Sequence, residues 1–74
     1  MRLFLDTSVL LTACASSAGA SYEIFRLAQD RGWLLIATPY VIGEVLNNLP
    51  EFPASASAQW AKLRGNLLLL DDVL

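Results

Sequence analysis

Seventy-four residues, a net charge of −2, no histidine, 55% apolar content and only 16% charged residues together restrict this chain to one small domain. Such a chain buries only about 60 to 65% of the surface its unfolded form exposes, and its charged fraction falls well below the roughly 25% of an ordinary domain. That balance excludes a strongly basic nucleic-acid footprint, and the missing histidine excludes the usual catalytic triads and zinc hydrolase sites. A short chain this apolar covers its faces with a partner or forms part of a larger fold, so a homo-oligomer or a fragment is expected.

The single cysteine, Cys14, excludes an internal disulfide and a cysteine-cluster zinc site within one chain, and a reducing, cytoplasmic setting is expected. No apolar run approaches the eighteen or so residues that cross a bilayer, so no membrane association is expected. The segment from Met1 to Leu11-Thr12-Ala13-Cys14 resembles a bacterial lipoprotein signal. Against that reading stands Asp6 inside the would-be apolar region, where an acid costs roughly 2.5 to 3.5 kcal/mol on insertion.

In chain order, Arg2 to Leu5 predicts a short buried strand. Thr7 to Ala15 predicts a helical turn or two, and Ser16 to Ala20 a loop. Ser21 is a potential N-cap for a helix that carries Glu23 in its first turn, has Ile24, Phe25, Leu27 and Ala28 as its apolar stripe, and ends at Gly32. Trp33 to Ala37 is apolar without alternation, as in a strand covered on both faces of a parallel sheet.

Thr38-Pro39 pairs a capping hydroxyl with proline at the first helical position, predicting a helix to about Leu49. Pro50 and Pro53 interrupt. Ala56 to about Lys62 resumes helix, with Trp60 and Leu63 on its apolar side, Gly65-Asn66 stops it, and Leu67 to Leu70 predicts a third buried strand. The order strand, helix, strand, helix, helix, strand argues for an α/β domain with a parallel three-stranded sheet flanked by helices. Trp33, Trp60 and Phe25 fall at core-like positions, Cys14 reads as a small buried residue, and Lys62 and Arg64 read as solvated.

Two carboxylates carry the candidate chemistry. Asp6 follows the first strand, where open α/β sheets place ligands, and Thr7 and Ser8 can offer hydroxyls or backbone N–H groups to the same space. An oxygen-rich site of this kind suits a divalent ion that keeps several waters. Asp-Thr-Ser is equally good capping sequence, so Asp6 reads either as a ligand or as a cap. Glu44 lies nearly opposite the stripe Ile42, Val45, Leu46 and Leu49, which reads as a solvated position, although Tyr40 one turn earlier and Val41 nearby leave room for a cleft on that side.

Taken together, Arg2-Leu3-Phe4-Leu5-Asp6-Thr7-Ser8-Val9-Leu10-Leu11 and Thr38-Pro39-Tyr40-Val41-Ile42-Gly43-Glu44-Val45-Leu46 resemble the opening strand and second acid-bearing helix of the PIN-domain family. These are metal-dependent nucleases, many of them toxins of bacterial toxin–antitoxin pairs. The resemblance spans residues 1–74 as a partial, truncated PIN-like domain, about the first half of a typical member. It implies RNA hydrolysis by water activated on Mg²⁺ or Mn²⁺, with Asp6 and Glu44 as catalytic metal ligands and Ser8 as a substrate-side polar neighbour.

The family's remaining acids lie on a later helix and at the end of a fourth strand, which have no counterpart in these residues. Asp71 and Asp72 follow the third strand and read as turn or terminal residues. The resemblance therefore implies weak or absent activity for this chain alone. The alternative is a non-catalytic half-domain that pairs with an antitoxin-like peptide or with itself through an exposed sheet edge. No glycine-rich phosphate loop with lysine is present, and Cys14 has no charged neighbour to activate it.

Overall fold

Through residues 1–70, which are the residues described by the computed structural model, two helices separate each strand from the next. That is one helix more between the first two strands than expected, because Thr7–Ala15 forms a full nine-residue helix. β1 (Arg2–Phe4), α1 (Thr7–Ala15), α2 (Ala20–Arg31), β2 (Leu34–Ala37), α3 (Pro39–Asn48), α4 (Ala54–Leu63) and β3 (Leu67–Leu69) follow in that order, with short 3₁₀ turns at Leu49–Glu51 and Arg64–Asn66. β2 is central and pairs in parallel with both neighbours. The α/β class and the parallel three-stranded sheet flanked by helices are as the sequence predicts.

Local chemistry sets each boundary. Asp6 caps α1, and Thr38 caps α3 by accepting from the Val41 N–H, with Pro39 in the first turn. Gly32 ends α2 in the left-handed region at φ 69°, a conformation that costs a residue with a Cβ. The Trp33 N–H then reaches back to the Ala28 carbonyl at 3.0 Å, closing the helix end.

Several expected boundaries move. α2 starts at Ala20 behind Gly19 with no side-chain cap, so Ser21 lies inside the helix. α3 stops at Asn48 because Pro50 tightens the chain into the 3₁₀ turn, and α4 begins at Ala54, directly after Pro53. Leu5 and Leu70 fall just outside their strands, yet their N–H groups still donate to Ile36 and Ala37 at 2.9 Å.

The register sorts the strand residues into two faces, since paired residues of a parallel ladder share a side. Leu3, Leu5, Leu35, Ala37 and Leu67 belong to one core with Leu10, Ala13 and Cys14 of α1, Phe25 and Ala28 of α2, Val45 of α3, and Trp60 and Leu63 of α4. α1 lies centrally in the helical layer, against α2, α3 and α4. Cys14 is buried, and the apolar surroundings push its thiol pKa up.

The opposite face carries Phe4, Leu34, Ile36, Leu68 and Leu70, none of which joins that core. Leu34 is 49% exposed where its neighbour Leu35 is 2% exposed. A strand covered on both sides was the expectation for β2, and it fails on this face. The burial expected of β1 and β3 fails too, since β3 is an edge strand whose Leu69, on the core face by register, is 59% exposed. Ile36 is buried between the flanking strands, but Phe4, Leu34, Leu68 and Leu70 face water. Among the described residues, no helix is long and apolar enough to cross a membrane.

Candidate functional site

Parallel strands bring the C-terminal ends of β1 and β2 side by side, and the chain leaves both ends directly into capped helices. At the first, Asp6 has extended backbone angles of −94° and 174°. Its Oδ1 accepts from the Val9 N–H at 3.0 Å and from the Ser8 hydroxyl at 3.1 Å. These two bonds favour the charged form, the backbone one most, and hold the Asp6 carboxyl below the usual aspartate range. The cap role is thus filled by one oxygen, and Oδ2 engages in none of these bonds.

At the second end, Thr38 and Pro39 start α3 immediately after β2, which carries its second turn against the start of α1. There the Thr7 hydroxyl donates to Glu44 Oε1 at 3.1 Å across 37 residues of sequence. Glu44 is half-buried, so the solvated position expected from the periodicity of α3 alone is corrected. A helical wheel sees only its own helix, and here a neighbouring helix start covers the polar side. Asn48 Nδ2 donates to the Glu44 carbonyl at 2.7 Å and braces the same turn.

Ser8 is exposed and its hydroxyl is engaged with Asp6. Its carbonyl accepts from Thr12 Oγ1 at 2.8 Å, so Ser8 supports the first acid and fixes the first turn of α1. Sequence reasoning offered Thr7 only as a general hydroxyl donor and missed that it links to the second acid. The signal was present in part, since Thr7 opens the helix that Asp6 caps, but its partner lies on a distant segment.

The set therefore consists of Asp6 and Glu44 at adjoining strand ends, joined through the consecutive pair Asp6-Thr7 and the Thr7–Glu44 bond. Among the described residues no group of three or more acidic, cysteine or histidine side chains gathers. Asp71 and Asp72 lie outside the described residues. All available donors are oxygens, and each carboxylate retains one oxygen not held by the bonds above. That donor set fits a hard divalent ion such as Mg²⁺ or Mn²⁺, which takes one or two carboxylates and keeps several waters.

The rim is open. A groove of about 260 Å³ lined by Ile42, Leu46, Trp60, Arg64, Leu67 and Leu69 includes neither acid. Asp6 and Ser8 are exposed, whereas Thr7 and Glu44 are half-buried. No family model, curated protein or solved structure matches the chain.

Proposed function

We propose that this chain is part of a PIN-type, metal-dependent ribonuclease domain, of the kind that serves as the toxin of a toxin–antitoxin pair, to which the described residues bring the acids Asp6 and Glu44. The observation that carries the reading is the Thr7–Glu44 hydrogen bond, which ties the second acid to the strand end bearing the first. Asp6 and Glu44 would hold Mg²⁺ or Mn²⁺ there. When bound, such an ion polarises water and offsets charge on a phosphodiester.

The chain's own residues prepare the site. The cap bonds fix one oxygen of Asp6 and favour its carboxylate form, leaving the other oxygen directed by the same geometry. Thr7 orients Glu44 in the same way. Ser8, exposed beside Asp6, donates its one hydroxyl proton to Asp6. It reaches a phosphate oxygen of RNA only by giving up that bond, after which the Val9 N–H alone holds the cap. With a chain charge of −2, attraction to RNA rests on the ion more than on the protein surface.

The test is Mn²⁺ binding by the purified chain, together with cleavage of single-stranded RNA in Mg²⁺ or Mn²⁺. Asp6→Asn and Glu44→Gln are each expected to weaken Mn²⁺ binding at least tenfold and to slow cleavage at least as much, and chelation to abolish cleavage. Unchanged Mn²⁺ affinity in both variants, or cleavage that survives chelation, would reject the assignment.

A further inference from the structure

Parallel sheets occur almost only with both faces covered, and here one face is bare. Phe4, Leu34, Leu68 and Leu70 on that face are 66%, 49%, 50% and 45% exposed. At roughly 200 Å² for a large apolar side chain, those fractions leave roughly 400 Å² of hydrocarbon in water. Among the strand residues of this face Arg2 alone is charged, and it stands at the edge.

Charge is also ordered along the strands. All three start at the same end of the sheet, and Arg2, Arg31 and Arg64 stand at or just before those starts, each exposed. Asp6 and Glu44 lie at the opposite end, where β1 and β2 stop. Asp30 stands beside Arg31 but is paired with Arg26, so basic charge predominates at one end of the sheet and acidic charge at the other.

We propose that a second copy of this chain packs on the bare face, sheet against sheet, about a two-fold axis that sets the strands of the two copies antiparallel. In that alignment Arg2 of each copy, which shares the bare face with Leu34, lies toward the Asp6 end of its mate, whereas a parallel alignment stacks Arg2 on Arg2. Sheets stacked about 10 Å apart interleave Phe4, Leu34, Leu68 and Leu70 with the same residues of the mate. The pair removes roughly 800 Å² of hydrocarbon from water, about half of a standard interface of roughly 1,600 Å², and the rim around Met1 and Arg2 adds to it. Each copy is a slab only 17 Å deep along its shortest axis, so two stacked copies form one helix–sheet–sheet–helix body. The apolar contact does not depend on the nuclease reading, whereas the alignment draws on Asp6, an acid of the proposed site.

Sedimentation equilibrium of the whole chain tests it. The mass is expected to rise toward the dimer with concentration. Phe4→Glu combined with Leu68→Glu changes exposed residues only and is expected to raise the dissociation constant at least tenfold with an unchanged circular dichroism spectrum. Arg2→Glu is expected to weaken the dimer several-fold at low salt, with the difference lost in 1 M salt. A short bis-maleimide is expected to couple Leu34→Cys copies but not Ser57→Cys copies, whose label sits on exposed α4, with buried Cys14 unreactive. A concentration-independent monomer, a dimer indifferent to the double substitution, or coupling through position 57 in preference to 34 would each overturn the proposal. If the double variant fails to fold, the cross-linking pair decides alone.

Discussion

The layer between sheet and helices and the polar rim at the strand ends are stabilised in different ways. In the layer, Leu10, Leu35 and Val45 are almost wholly removed from water, and their energy lies in volume filled without direction. At the rim, Asp6, Thr7, Ser8 and Glu44 are exposed or half-buried and are set by hydrogen bonds of 3.0 to 3.1 Å. Exposed bonds contribute modestly to stability because water competes for each partner. The difference teaches that the rim can exchange its partners for an ion or a substrate at small cost to the fold, while the layer cannot.

The sharpest test of that contrast lies within one strand. Leu35→Ala removes a side chain from the layer and is expected to cost about 2 to 5 kcal/mol. A chain of 74 residues has a stability of roughly 4 to 11 kcal/mol, so this loss removes a large share of it. Leu34→Ala, one residue away on the bare face, is expected to change the dilute chain by less than about 0.5 kcal/mol. Urea midpoints measured below the association range check both. Equal losses at the two positions would mean that the bare face is covered within a single copy.

A smaller effect probes the rim itself. Thr7→Val keeps the branched shape of the side chain but deletes the hydroxyl that donates to Glu44. The expected cost is about 1 kcal/mol, or about 4 to 8 °C in Tm for a domain of this size, with recovery in Thr7→Ser. A cost matching that of Leu35→Ala would break the contrast, because the rim would then be as structural as the layer.

These two regions also differ in how far they could be read from residues alone. Most of the strand and helix order was legible because Thr38-Pro39, Gly32 and the apolar runs each impose a local preference that the fold keeps. But α1 was read as only a turn or two and left out of that order, although it is a nine-residue helix. The bare face was not legible. Leu34-Leu35-Ile36-Ala37 is apolar on both sides, and such a run reads the same whether the second side meets a helix, another copy or water. Ser21 drew attention as a cap through its hydroxyl, while the chain turned earlier at Gly19 without side-chain help.

At the site, Asp6 was legible as either cap or ligand, and the cap is what its Oδ1 makes. The periodicity of α3 favoured a solvated Glu44 and left a cleft open, and Glu44 is half-buried because its surroundings come from another helix. A period of 3.6 residues reports one helix's own faces and contains nothing about Thr7, which lies 37 residues away.

The smallest expected effect is the acid titration of Asp6, and its sign follows from the cap. Bonds from the Val9 N–H and the Ser8 hydroxyl depress its pKa in the folded chain. Its contribution to stability is therefore complete above the unfolded aspartate value of about 3.9 and is lost as pH falls through the lower folded value. Asn caps helices about as well as Asp, so Asp6→Asn keeps the cap while deleting the charge, and with it the attraction to the positive end of α1. α1 has no other acid in its first turn to replace it. Glu23, held low by its bond from Arg26, titrates in both proteins and cancels in the comparison. The Tm of the native chain is thus expected to exceed that of Asp6→Asn slightly at pH 5 and to converge with it toward pH 2. A gap that widens with acid would show that the folded chain prefers Asp6 protonated, contrary to a cap that binds the carboxylate.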